Sequence, residues 1–258
     1  MRRALFVLVL VALAGPSFAG VVPDPGGAGA WAAGGALLAD PAGPLTLFDA
    51  PARLSGARFQ AFAQRARLFE LDELARTRVA LGGARGAWAG AVGYESFGPS
   101  ELRRTRAMVG LALTRPEGAV GLAWNERRGA GSEGRAGALD LAACARVHRL
   151  TFQLSARGVL SGGDPAVQAD PDWTIEGAGS IGPARAHLAR TRDLHGTRTG
   201  GGVALAAGPL GIAAGAIGPP WSWTLGLLVG APHARAGIAR VVHPALGASE
   251  VIEGGASW

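Results

Sequence analysis

Histidine, cysteine, serine and the carboxylates are the residues through which this chain of 258 residues would do chemistry, so their spacing is the first thing to read. The five histidines, His148, His187, His195, His233 and His243, are scattered, and none stands at metal-ligand spacing from another histidine, a cysteine or a carboxylate. No Gly-x-Ser-x-Gly elbow marks a serine nucleophile with an organised base. Phosphate loops and calcium loops are absent as well. His243 precedes Pro244 and reads as a turn residue. Cys144 is the sole cysteine, which excludes an intrachain disulfide. The expectation is a protein that is not an enzyme and has no metal and no cofactor.

Charge points to no nucleic-acid partner either. The net charge is +6, every basic residue is arginine, and asparagine occurs once, at Asn125. Arginine, alanine and glycine in such excess fit the codon bias of a GC-rich genome. The arginines are spread along the chain and do not cluster among aromatics on one stretch, as a nucleic-acid surface requires.

Residues 1–19 read as an export signal. Arg2 and Arg3 precede an apolar run from Ala4 to Ala14 that is too short to span a bilayer, and Ser17-Phe18-Ala19 supplies small residues at a cleavage site. Residues 20–33 are glycine, alanine and proline with little pattern, and read as an exposed lead-in. Residues 34–55 form a compact Ala/Leu/Pro segment. The expected organisation is signal 1–19, lead-in or plug 20–55, and a β-rich unit 56–258.

From about Gly56 the apolar period is two. Leu150, Phe152, Leu154 and Ala156 alternate with Arg149, Thr151, Gln153, Ser155 and Arg157, and Trp221, Trp223, Leu225, Leu227 and Val229 alternate with small or polar residues. Turn signals such as Gly83–Gly86, Arg115–Gly118, Gly182-Pro183, Gly208-Pro209 and Gly218–Pro220 separate the segments. The predicted strands are 56–65, 75–84, 86–95, 103–115, 118–127, 135–146, 148–157, 173–181, 183–192, 199–207, 209–217, 221–229, 233–242 and 249–258. That makes fourteen, with twelve as the alternative count. At about 9–11 residues per membrane strand they nearly use up the chain. Thr199–Pro232 has no charge, and its rival reading is a pair of membrane helices, but proline and glycine cut it into pieces of strand length.

Alternation alone does not separate a membrane barrel from a soluble β-sandwich. Three features favour an antiparallel transmembrane β-barrel. Glycine and alanine often stand opposite the large apolar residues, which suits a narrow lumen. Tyr94, Trp124, Trp221, Trp223 and Trp258 lie near segment ends, where interfacial girdles would be. The chain ends on an aromatic, Trp258, in phase with Ile252, Gly254 and Ala256. In this frame His187 faces the lumen, Cys144 is a small wall residue between Ala142 and Arg146, and Asp140, Glu126 and Arg146 are lumen-facing charges.

Two segments resemble the FadL-like and PorV/PorQ-like outer-membrane barrels. Gly34-Gly35-Ala36 with Asp40, followed by Phe48-Asp49-Ala50-Pro51-Ala52-Arg53-Leu54, is similar to the N-terminal motif of that group, though Asp49-Ala50 replaces the Asn expected before Pro51. His243-Pro244-Ala245-Leu246-Gly247 and the terminal Trp258 resemble its last hairpin. The resemblance implies a bacterial outer-membrane location and a transport, scaffold or secretion-accessory role. The implied partners are outer-membrane lipid, the outer-membrane assembly machinery and a small hydrophobic ligand, with no nucleic acid. It also implies that residues 20–55 are a lumen plug or a periplasmic lead-in. The alternatives are a secreted soluble β-sandwich binding module and an outer-membrane lipid hydrolase.

Overall fold

A computed structural model describes residues 26–258 apart from 41, 57, 130–133, 169 and 195. The predicted export signal and His195 lie outside the described residues. Alternating side chains build fourteen strands: β1 Gln60–Leu68, β2 Leu71–Arg85, β3 Trp88–Phe97, β4 Arg104–Arg115, β5 Gly118–Gly129, β6 Arg135–Val147 and β7 Leu150–Gly163. The second half continues with β8 Asp172–Ile181, β9 Ala184–Asp193, β10 Gly196–Ala207, β11 Leu210–Gly218, β12 Ser222–Ala231, β13 Ala234–His243 and β14 Gly247–Ser257. Each strand pairs antiparallel with the next, and β14 pairs back onto β1 to close a barrel. Phe59 and Trp258 exchange backbone hydrogen bonds of 3.1 and 3.0 Å that seal this seam. A closed ladder leaves no strand edge unpaired, so the sandwich reading is overturned.

The uncharged stretch that raised the question of membrane helices forms β10, β11 and β12, and no described helix is long and apolar enough to cross a membrane. Several strand limits differ from expectation, β2 for one starting at Leu71 rather than at residue 75, and two of the differences have a local cause. β1 starts at Gln60 because Gly56, at φ +118°, turns the chain before it. β7 runs six residues further than predicted, past a register shift opposite Leu139–Leu141. Gly158, at φ +64°, supplies the left-handed residue there, and its N–H reaches Asp140 at 2.8 Å.

The two ends of the barrel differ. At one end all six hairpins close with two residues, and four of these turns hold a residue of positive φ: Gly86, His148, Gly182 and Gly208. The other end has the longer connections, between β3 and β4, β5 and β6, and β7 and β8. The outer face is apolar: Leu81, Val92, Trp124, Leu154 and Leu225 are all exposed on it.

Residues 26–55 occupy the lumen. They form one short helix, α1 (Ala28–Ala32), and 3-10 turns at Leu37–Ala39, Pro44–Phe48 and Pro51–Arg53. The expectation that 20–33 is exposed fails for the described part: Ala28, Ala30, Trp31 and Ala33 are buried. An alanine-rich run has no amphipathic pattern because every side of it meets a wall. The small residues of the inner face make the room. A Cβ on Gly93 of β3 would sit 2.8 Å from Phe48 and 3.1 Å from Leu47, and one on Gly237 of β13 would sit 2.9 Å from Ala28. We therefore expect Gly93→Leu to weaken docking of the segment by roughly 1–3 kcal/mol through overpacking while the strand ladder persists. Faster tryptic cleavage after Arg53, with heat-modifiable migration retained, checks this.

Candidate functional site

A segment with so little regular structure must find partners for its backbone elsewhere, since buried peptide groups left unpaired are costly. Three carboxylates supply them. The wall residue Glu176 on β8 accepts the N–H groups of Leu37 and Leu38 at 2.8 and 2.7 Å, the orphan donors at the start of a 3-10 turn. Glu253 on β14 accepts Ala28 N–H at 2.9 Å, and Asp40 of the plug itself accepts Gly27 and Ala30 at 2.5 and 2.7 Å. The first turn of α1 is thus capped by two anions, as its positive end favours. Carbonyl groups are met in the same way: Gln64 donates to Gly26 O at 2.9 Å, Thr224 to Ala32 O at 2.7 Å, and Arg106 to Phe48 O at 2.7 Å. Arg53 donates to the carbonyls of Leu37 and Asp40.

The plug has one ionic anchor that faces the loop end. Asp49 accepts from Arg78 of β2 at 2.9 Å and from Arg157 of β7 at 3.1 Å. Arg78 also holds Glu95 of β3 at 2.5 Å, and Arg157 holds Asp172 of β8 at 2.8 Å. The Arg78 and Arg106 guanidiniums lie over the Phe48 ring at 4.9 and 5.5 Å, an arrangement that delocalised, flat cations favour. Above Asp49 opens a chamber of about 400 Å³, lined by seven arginines and four carboxylates. On the turn side of the plug a second cavity of about 270 Å³ includes Arg53, Arg146, Arg185 and Cys144.

The motif residues singled out from sequence fall at two places. Gly34 and Gly35 have φ +70° and +85°, and a side chain on Gly34 would collide with the backbone of Gly201 and Ala216. Ala36 is buried, Asp40 caps α1, and Pro51 and Ala52 rest on Gly121 of β5. These five and Gly34 belong to the plug. The other four belong to the closing hairpin: the His243 ring nitrogen Nδ1 accepts Ala245 and Leu246 N–H at 3.2 and 3.1 Å, followed by Pro244 and by Gly247 at φ +86°. Trp258 closes the seam described above and is exposed on the outer face.

Of the candidate lumen residues, His187, Cys144 and Asp140 face inward and are buried, and Arg146 lines the turn-side cavity. Glu126 is a correction. It is out of phase with Asn125 and Arg127, faces outward near the loop end of β5, and pairs with Arg128 at 2.7 Å. None of Asp49, Glu176, Glu253, Arg78 and Arg157 was marked by the sequence as an anchor for the plug. The one available signal was Asp49, an acidic residue in an apolar stretch where the resembling motif has none.

No protein-family model and no curated protein matches the chain. Among solved structures, the outer membrane protein Omp33 of Acinetobacter baumannii is similar at TM-score 0.52 and 11% identity, over 78% of this chain and 98% of that one. A triple mutant of the Rhodopseudomonas blastica porin gives TM-score 0.46 at 7% identity, over 78% and 99% of the two chains. The KdgM porin gives 0.46 at 6%, over 77% and 99%. The first of these shows that the chain has the fold of an outer-membrane β-barrel.

Two expectations follow from the anchors. Glu176→Ala leaves the amides of Leu37 and Leu38 without acceptors and should weaken plug docking by roughly 2–4 kcal/mol, read as faster hydrogen exchange at those two amides. The second concerns pH. Burial, and then the nearby Glu253, push the Asp40 carboxyl up to about 6 from an ordinary 3.8, against the opposing pull of its two amide donors and Arg53. Docked Asp40 therefore holds its proton over a range where undocked Asp40 has lost it. Docking is strongest below about pH 4 and loses about 3 kcal/mol as pH rises through 6. Proteolysis of the plug should be slower at pH 4.5 than at pH 7.5, and Asp40→Asn should reduce the difference.

Proposed function

We propose that the chain is a transport barrel of a bacterial outer membrane whose pore is shut by its own residues 26–55. The single observation that carries this reading is a closed fourteen-strand barrel with an apolar outside and a polar, charged inside. Apolar rows of that extent exceed what soluble monomers expose to water, and membrane barrels alternate in this way. The likeness to Omp33 in fold, the signal-like residues 1–19 and the exposed aromatics Trp88, Tyr94, Trp223 and Trp258 support it. Two-residue turns mark the periplasmic end, and the longer loops the outer one. Outer-membrane lipid is then the solvent of the outer face, and the terminal Trp258 is a handle for the assembly machinery. The finer affiliation with FadL-like or PorV/PorQ-like barrels, and with it a small hydrophobic ligand, rests on the two terminal motifs.

A second reading, a scaffold or secretion-accessory barrel, is favoured by one observation: the lumen is filled by Trp31, Leu47, Phe48 and their neighbours. Planar bilayers separate the two. For a transporter we expect the full chain to be largely closed and a variant lacking residues 26–55 to show stepwise conductance. A deletion variant that folds, shown by heat-modifiable migration, yet never conducts would leave the scaffold reading standing. Recovery of the mature chain in the soluble fraction after lysis would overturn both.

A further inference from the structure

We infer that the loop-side chamber is a binding site for a small solute with two or more carboxylate or phosphate groups. This names a substrate class for the transport reading and rests on it for passage, though not for binding.

The inner faces of β2 to β5 place Arg78, Glu95, Arg106 and Arg127 side by side in one cross-strand row, with Arg76 and Arg104 in the next row toward the loops. Arg106 and Arg127 are direct cross-strand partners of like charge, an arrangement that destabilises a sheet unless an anion lies between. Three of the four carboxylates that line the chamber are already engaged, and Asp170 is the fourth. Glu95 is held by Arg78, Asp172 by Arg157 at 2.8 Å, and Asp193 by Arg198 at 2.6 Å. Arg106 instead uses its donors on Phe48 O and the Met108 sulfur, and Arg127 places Nε on Asn125 at 3.1 Å. Arg104, Arg106 and Arg127 make no close ion pair or hydrogen bond with a carboxylate among the described residues, although Glu95 stands across the strands from Arg106.

Guanidinium pairs hold planar oxyanions, and the structure contains such a complex beside this row: the Asp49 carboxylate accepts from Arg78 on one oxygen and from Arg157 on the other. The chamber offers the same guanidinium chemistry from Arg104, Arg106 and Arg127, which line it. Its volume of about 400 Å³ fits a small organic molecule. A single carboxylate would leave most of the positive charge unmatched, so a multivalent anion is favoured. Because the site lies inside the barrel under the longer loops, the ligand is a free solute.

The test is calorimetric titration of citrate into the full chain in detergent at low salt, with acetate as the monovalent comparison. We expect saturable 1:1 citrate binding, clearly tighter than acetate, weakened roughly tenfold or more in R104Q/R127Q. R104Q alone, at the exposed rim, should weaken it in the same direction, and R85Q on the outer face should not change it. Heat-modifiable migration verifies that each variant is folded. Absence of saturable citrate binding, or binding unchanged in both R104Q and R104Q/R127Q, overturns the inference. Conductance through the plug-deleted barrel without citrate binding defeats this inference and spares the transport reading. Citrate binding without any conductance does the reverse.

Discussion

An irregular segment inside a closed barrel has no strand edge to pair with, and this constraint governs the interior. The wall's N–H and C=O groups are used up in the ladder between neighbours. Only side chains remain to satisfy the plug's backbone, and they must be long enough to reach it and charged or amide-bearing enough to bind it. Glu176, Glu253, Gln64, Thr224 and Arg106 are the wall's answer. At many other positions the wall recedes to glycine and alanine, which makes room for Trp31, Leu47 and Phe48. The inner face is thus read by the plug as a template: small where the plug is bulky, polar where its backbone is bare.

The same constraint explains why arginine fits the loop side of the plug. A lysine ammonium is a compact, strongly hydrated point charge, whereas a guanidinium can stack on Phe48, bind Asp49 and hold Glu95 together. Arg78 makes all three contacts while fully buried. A network of this kind is specific in register. Breaking one partner leaves a buried charge uncompensated. It also sets a floor of alternating charge beneath the chamber, above which the arginine excess is no longer balanced by side chains.

Much of the barrel was legible from sequence because a membrane strand displays its period without help from tertiary context. Fourteen segments, four of the six short turns and the inward direction of Asp140, Cys144 and His187 follow from parity and punctuation. The β6–β7 bulge was not legible, since a glycine at residue 158 looks like any other glycine in a chain that holds 42. Glu126 was misplaced by one step of parity near a strand end, where water reaches both faces and the period stops discriminating. Burial of residues 26–33 was hidden for a different reason. A segment enclosed on all sides has no polar face, so no periodicity records its environment. The carboxylates that grip it stand in strands whose pattern is already explained by the ladder, and nothing local marks Glu176 as different from any other lumen charge.

Barrel and plug are held by different forces, and this bears on how the pore opens. The barrel is a continuous hydrogen-bond ladder closed at Phe59 and Trp258, and no strand can leave without breaking two rows of bonds. The plug contributes no strand to that ladder. Its contacts are hydrogen bonds and ion pairs, which water can replace, together with apolar patches, of which the two largest are Leu45, Leu47, Phe48 and Leu54 against the β1–β5 side, and Ala28, Trp31 and Ala32 against β1 and β11–β14. Losing one patch does not require losing the other at the same moment. Hydration of polar groups offsets most of what leaving would cost at the anchors, while the apolar patches resist. An anion that competes with Asp49 for the arginine field would loosen the Phe48 side first, because Arg106 lines the chamber and lies over the ring while Arg157 lines it and holds Asp49. If the chamber binds an anion as inferred above, its occupancy and retention of the plug are linked through Arg106 and Arg157, while the α1 end is held separately by Glu253 and Asp40.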